Sequence, residues 1–178
     1  MRRLLATLAV SGFLLTGLPI ITSAQSLPGF TLFGGVKREN QLDYKLDFGG
    51  QSNGWDRYRL RIPAKKLNLA VAQLAISYPD YYKGKFDTDK VELRVYKGRF
   101  NSRNYEKVPL QEVVWDKENH KVEIFPQQPI PAGKRVEVVF SNVKNPNSGG
   151  TYYFNCQILS PGDVPLLRYV GTWILSIS

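Results

Sequence analysis

An antiparallel two-sheet β-sandwich of immunoglobulin-like type is the fold class this sequence predicts, with a small β-barrel as the alternative. Three observations predict it. Apolar side chains recur at every second position in several short runs, the signature of half-buried strands. Gly and Pro clusters end those runs at short intervals. Tyr, Phe, Val and Ile are plentiful, with 10 Tyr and 9 Phe in 178 residues, as pleated surfaces prefer. The paired cysteines of an immunoglobulin domain are absent, so the immunoglobulin likeness rests on strand number and spacing.

The chain opens with a segment that reads as a secretory signal peptide over residues 1–24. Arg2 and Arg3 form a basic start, Leu4 to Ile21 is mostly apolar, and Thr22-Ser23-Ala24 offers small residues at a cleavage site. The remainder, 25–178, is one domain's worth of chain and enough for a substantial core. A lipid-anchored form would need a Cys just after the cleavage site, and the only Cys is Cys156. One Cys makes no internal disulfide, so stability rests on apolar burial and sheet pairing. Export is the fate this leader predicts.

Residues 25–41 contain Pro28, Gly29, Gly34 and Gly35 and read as an irregular lead-in segment, pinned to the body by Leu27, Phe30, Leu32 and Phe33. Leu42, Tyr44, Leu46 and Phe48 then alternate with polar residues as a first strand. After a Gly-rich loop at 49–54, Tyr58, Leu60 and Ile62 alternate with Arg57, Arg59 and Arg61 up to Pro63. Residues 64–70 read as a linker or short helix and 71–78 as a strand. Val91, Leu93 and Val95 form the next strand. A hairpin follows over Val113 to Phe125, turning at Asp116-Lys117-Glu118-Asn119, with Val122 and Ile124 inward. A corner of Pro129, Pro131 and Gly133 leads to a strand with Val136, Val138 and Phe140 inward. Turn residues at 145–150 precede a strand whose Tyr152, Phe154, Cys156 and Ile158 share a face. Pro161-Gly162-Asp163 turns the chain again, and Val170 to Ile177 closes the domain.

Residues that suggest chemistry are few. His120 is the only histidine and falls at a hairpin turn, so no His-dependent triad and no His/Cys metal site is expected. Asp87-Thr88-Asp89 is too short a pattern for a calcium loop and reads as a turn. No metal and no cofactor is expected. A hydrolase acting on carbohydrate would need two carboxylates at a set separation. Asp43, Asp47, Asp56, Glu112 and Glu123 are available, but none sits in a distinguishing motif.

Charge is more informative. The chain holds 24 basic and 15 acidic residues, a formal net charge of +9. Twelve basic residues and only four acids fall within 57–103. Arg57, Arg59 and Arg61 must share one face of their strand. With Arg94, Tyr81, Tyr82 and Tyr96 they form a candidate ligand-binding face of basic and aromatic type. Its expected partner is anionic: a polysaccharide, a lipid surface or an acidic protein. Nucleic acid fits poorly with export. Acids from neighbouring strands would turn that face into an ordinary surface; unpaired arginines between tyrosine walls would make it a site.

One stretch carries a wider likeness. Pro129-Ile130-Pro131-Ala132-Gly133, Asn142-Val143-Lys144-Asn145-Pro146, Gly150-Thr151-Tyr152-Tyr153-Phe154, Ser160-Pro161-Gly162 and Gly171-Thr172-Trp173-Ile174-Leu175-Ser176-Ile177 follow in order. Together they resemble a cyanobacterial family of exported proteins that is a domain of unknown function. The resemblance implies an exported β-sandwich, with the periplasm, the cell exterior or a thylakoid lumen as its destination, and brings no activity or site residue. The expected role is a non-catalytic binding or structural module of the cell envelope. The competing expectations are a carboxylate-dependent carbohydrate hydrolase, and an accessory subunit using Phe30 to Phe33 or Tyr169 to Ile177 as an apolar edge.

Overall fold

A computed structural model describes residues 35–162 and 166–178. The leader at 1–24, the apolar pins Leu27 to Phe33 and Asp163 lie outside the described residues. Eleven strands are described: β1 (Gln41–Leu42), β2 (Tyr44–Leu46), β3 (Trp55–Ile62), β4 (Gln73–Ser77), β5 (Val91–Tyr96), β6 (Tyr105–Val108), β7 (Leu110–Asp116), β8 (Lys121–Pro126), β9 (Arg135–Lys144), β10 (Gly150–Leu159) and β11 (Arg168–Ile177). They form two sheets, ordered β1-β11-β10-β4-β8-β7 and β2-β3-β9-β5-β6. This is the expected sandwich, with one exception to its antiparallel pairing: β1 runs parallel to β11, Gln41 opposite Thr172.

One strand expected as a unit is split between the sheets. The alternation from Leu42 to Phe48 breaks at Asp43: β1 joins one sheet and β2 the other. Phe48 is not an inward residue of that strand but stands 61% exposed, because the chain has already left the ladder for a turn, where the Phe48 N–H donates to Asp56 Oδ1 at 2.9 Å. At the opposite edge, Pro109 separates β6 from β7 and carries the chain across from sheet to sheet. Pro has no N–H to give a ladder, so it suits this crossing.

The alternation elsewhere places its residues as expected. Tyr58, Leu60 and Ile62 are buried against Val136, Val138 and Phe140 on the inner face of one sheet, while Val122, Ile124, Tyr152, Phe154, Cys156 and Ile158 line the other. The space between is filled by rings. Tyr82 meets Phe154 edge-on at 5.0 Å and stacks with Phe86 at 5.6 Å. Tyr58 donates to Asn145 Oδ1 at 2.5 Å, and the Asn145 amide donates to the Gln51 carbonyl at 2.9 Å, which ties the core to two loops. Trp173, fully buried, donates to the Arg61 carbonyl at 3.1 Å. Cys156 sits in this core, and burial pushes its thiol pKa up, so it packs as an inert small hydrophobe.

Residues 64–70 hold a short 3-10 turn at Ala64–Lys66 and β4 begins at Gln73, close to expectation. Val71 and Ile130 exchange backbone hydrogen bonds at 2.9 Å, and the Gly133 N–H donates to the Leu67 carbonyl at 2.6 Å. Two of the crossings between sheets, 63–72 and 127–134, are therefore laced together at one end of the sandwich. The pairs Ile62–Val136, Tyr96–Arg135 and Leu159–Gln73 place the 97–104 connection, the end of β10 and the start of β11 at that same end. Connections 47–54, 78–90, 117–120 and 145–149 form the opposite end.

Candidate functional site

Arg57, Arg59 and Arg61 do share the outer face of β3, and Arg94 faces the same way from β5. Between them runs β9, with Glu137 directly opposite both Arg61 and Arg94. Glu137 is fully buried under these side chains. Arg61 Nε donates to it at 3.2 Å, and the guanidinium groups of Arg94 and Arg59 lie 3.7 and 3.8 Å away. Tyr96 donates its hydroxyl to Glu137 at 2.8 Å. Further acids close the array: Asp43 with Arg61 at 2.9 Å, Asp47 with Arg59 at 2.9 Å and Arg57 at 3.6 Å, and Glu92 with Arg94 at 2.6 Å. Arg94 also lies over the Tyr105 ring at 4.6 Å. Burial alone would lower the Arg61 pKa, but its bonds to Asp43 and Glu137 raise it. The face is thus a lattice of alternating charge, neutralised from within, and not an open basic groove.

The tyrosines divide. Tyr82 is 2% exposed and belongs to the core, on the opposite side of the sheet from the arginines; its ring offers nothing to a ligand. Tyr96 is buried as the donor to Glu137. Tyr81 is exposed, against Tyr152 at 5.6 Å, at the end of the sandwich away from Arg61. The expected constellation of Arg57, Arg59, Arg61, Arg94, Tyr81, Tyr82 and Tyr96 is therefore not one surface.

The remaining candidates have local roles. His120 adopts a positive φ of 51° at the β7–β8 turn and packs edge-on against Tyr78 at 5.7 Å. The Asp87 carboxylate accepts from the Asn142 amide at 2.9 Å. Among the described residues no group of three or more His, Cys, Asp or Glu is placed to hold a metal. Asp56 accepts from the N–H groups of Phe48, Gly50 and Arg57 at 2.7–2.9 Å and fastens the 47–54 loop. Glu123 is held by Gln73 at 2.9 Å and Lys121 at 3.0 Å. Tyr169 to Ile177 is no free apolar edge, since Val170, Trp173, Leu175 and Ile177 are buried in the core.

The charge that is not neutralised lies elsewhere. Residues 63–72, 97–104 and 127–134, with the strand ends Arg135 and Arg168, bring Lys65, Lys66, Lys97, Arg99, Arg103, Lys134, Arg135 and Arg168 to one end of the sandwich, and these segments contain no Asp or Glu. None of the eight pairs with a carboxylate of a described residue. All are exposed except Lys66, which is half-buried. The opposite end's connections hold Lys83, Lys85, Lys90 and Lys117 against Asp47, Asp80, Asp87, Asp89 and Glu118. Among the described residues, charge is thus polarised along the strands.

Two clefts open at the basic end. The larger, about 630 Å³, lies between the β5–β6 hairpin and the 128–135 corner. Val95, Val108 and Ile130 contribute to its apolar lining, Lys97, Lys134 and Arg135 to its basic lining, and Glu106 is its single carboxylate. A hydrolase needing two acids does not find them there. The smaller, about 260 Å³, is lined by Lys65, Lys66 and Arg168 with Asn40 and Asn68. The sequence does not reveal this site because its residues are spread over the chain; Lys65, Lys66, Lys97, Arg99 and Arg103 within the 57–103 excess are the available signal.

No curated protein matches the sequence. In structure the chain is similar to BslA, a bacterial hydrophobin, at 13% identity and a TM-score of 0.48, covering 78% of this chain and 92% of that one. It is similar to the collagen-binding domain from a Staphylococcus aureus adhesin at 10% identity and a TM-score of 0.42, covering 76% and 95%. It is similar also to an uncharacterized Nocardia farcinica protein with an immunoglobulin-like fold at 10% identity and a TM-score of 0.39, covering 78% and 98%. At these values nothing those proteins bind carries over. The family described as "Protein of unknown function (DUF2808)" matches residues 30–177, and the chain belongs to that family.

Proposed function

We propose that this protein is an exported, non-catalytic module of the cell envelope that docks by its basic end onto an anionic lipid surface. One observation carries the reading: eight basic side chains without carboxylate partners among the described residues converge at one end, while the arginines of the β3–β9–β5 face are already neutralised. Each Lys or Arg near an anionic membrane contributes about 1 kcal/mol, falling off within a Debye length. A cluster on one end therefore adds up where the same charges scattered over the surface would not.

Lipid is favoured over polysaccharide by the apolar groups at hand. Sugar recognition calls for exposed rings, but the exposed rings of Phe48, Trp55 and Tyr81 belong to the connections and strand start at the opposite end. The basic end instead exposes the aliphatic Leu166 and the Val- and Ile-walled cleft. Aliphatic side chains framed by Lys and Arg suit a headgroup and acyl boundary.

Cosedimentation with vesicles tests this. The protein is expected to pellet with phosphatidylglycerol vesicles, to remain free with phosphatidylcholine, and to be released as salt rises to about 0.5 M, where screening is strong. Binding to soluble alginate or to an acidic protein in preference to those vesicles would contradict the lipid reading, as would binding that ignores salt.

A further inference from the structure

We infer that the cleft between the β5–β6 hairpin and the 128–135 corner receives an acyl chain of an anionic lipid, and this rests on the membrane-docking reading above. The cleft is lined by two chemistries. Val95, Val108 and Ile130 line it with aliphatic surface, and the exposed Lys97, Lys107, Lys134 and Arg135 outnumber Glu106, its single carboxylate. An occupant that satisfies both is a hydrocarbon chain ending in a carboxylate or phosphate. A polysaccharide would leave the aliphatic surface wet, and an inorganic anion would use the basic groups alone. The volume, about 630 Å³, lies within the range of small-molecule sites.

The walls are set in advance. Ile130 is bonded through both its N–H and its carbonyl to Val71 at 2.9 Å. The corner is fastened again where Gly133 donates to Leu67 at 2.6 Å. Arg135 donates to the Gly98 carbonyl at 3.1 Å, which ties the 97–104 loop to the start of β9. Little ordering is left for a ligand to impose, so its methylenes contribute nearly their full burial.

Chain length is the distinguishing variable, because each methylene taken from water tightens binding roughly two- to fourfold. The probes are hexanoate, octanoate and decanoate below their micelle concentrations, with inorganic phosphate as the anion-only control. The readout is amide shifts of the purified protein in proton–nitrogen NMR spectra. Affinity is expected to rise along the three acids, with shifts centred on Val95, Val108, Ile130 and Lys134. Phosphate is expected to move Lys97 and Lys134 only. Val108→Asp is expected to weaken decanoate at least tenfold; if that variant unfolds, the exposed Lys134→Gln serves, weakening all three acids by a similar factor without altering the chain-length trend. Equal affinity for the three acids, or identical shifts with decanoate and phosphate, would overturn the inference. Vesicle pelleting of the same preparations separates the two readings. Pelleting without a chain-length trend removes the acyl site and leaves membrane docking standing. Loss of both removes both.

Discussion

Glu137 shows what a single residue does in this fold. Its carboxylate is fully buried and is held by Arg61, Arg59 and Arg94 together with the Tyr96 hydroxyl. Removing one partner of a buried charge array leaves the others uncompensated, which costs about 3–5 kcal/mol. Glu137→Gln is therefore expected to lower the unfolding free energy by about that much, measured by urea denaturation. Arg57→Gln is the contrasting case: a half-exposed side chain 3.6 Å from Asp47, worth about 0.2–1 kcal/mol as a surface pair. If the two variants lost the same stability, the array would not be the fastening described.

Acid reaches the same array through its outer carboxyls. Burial would raise the pKa of Asp47 and of Glu92, but bonds from Arg59 and Lys45 to the first, and from Lys107 and Arg94 to the second, hold both below the usual carboxylate range. A carboxyl depressed in the folded state binds its proton more readily once unfolded. Its contribution is present above the ordinary value of about 4 and is lost as pH falls through the depressed folded value. The urea midpoint is expected to be level from neutrality to about pH 5 and to fall below about pH 4. In Asp47→Asn/Glu92→Gln that fall should be shallower. An unchanged slope would contradict these assignments.

Among the elements, β1 depends on one glycine of β11. A Cβ built on Gly171 would lie 2.7 Å from the Asn40 carbonyl and 2.7 Å from Leu42 Cγ. The parallel pairing of Gln41 and Leu42 with Thr172 and Trp173 is possible because nothing stands there. Gly171→Val is expected to displace β1, costing about 1–3 kcal/mol by overpacking and raising amide exchange near Leu42, while exchange in β9 stays unchanged. How far each element was legible follows from the range of its contacts. Strands whose faces differ in polarity, such as 57–62, 136–140 and 152–158, announce themselves because alternation is a local property. The division at Asp43 did not, since the pattern from Leu42 to Phe48 is the same whether one sheet or two receives it. The short β6, with Glu106 and Lys107 exposed, carries too few apolar residues to show a period.

At the scale of the whole molecule, a contiguous basic segment in the sequence proved to be two different things. Its β3 arginines are matched by carboxylates on β9, at Asp43 and in the β2–β3 loop, all remote in sequence, and Arg94 shares Glu137 with them, a relation no local pattern reveals; only the Glu92–Arg94 pair is local. Its Lys65, Lys66, Lys97, Arg99 and Arg103 instead join Lys134, Arg135 and Arg168 at one end, brought together by two crossings between sheets and two connections within a sheet. The sequence thus indicated that uncompensated charge existed but not where it would gather.

Two variants with the same change of net charge distinguish position from amount. One replaces Lys97, Arg99, Arg103 and Lys134 with Gln at the basic end; the other replaces Lys83, Lys85, Lys90 and Lys117 with Gln at the opposite end, all eight side chains being exposed. Binding of both to phosphatidylglycerol vesicles at about 0.1 M salt, where exposed charges interact over about 10 Å, is the decisive comparison. The first variant is expected to lose at least tenfold in affinity and most of its salt dependence, the second to bind within about twofold of the parent. Equal losses in the two would contradict the account, because attraction would then follow total charge and not the end at which it is gathered.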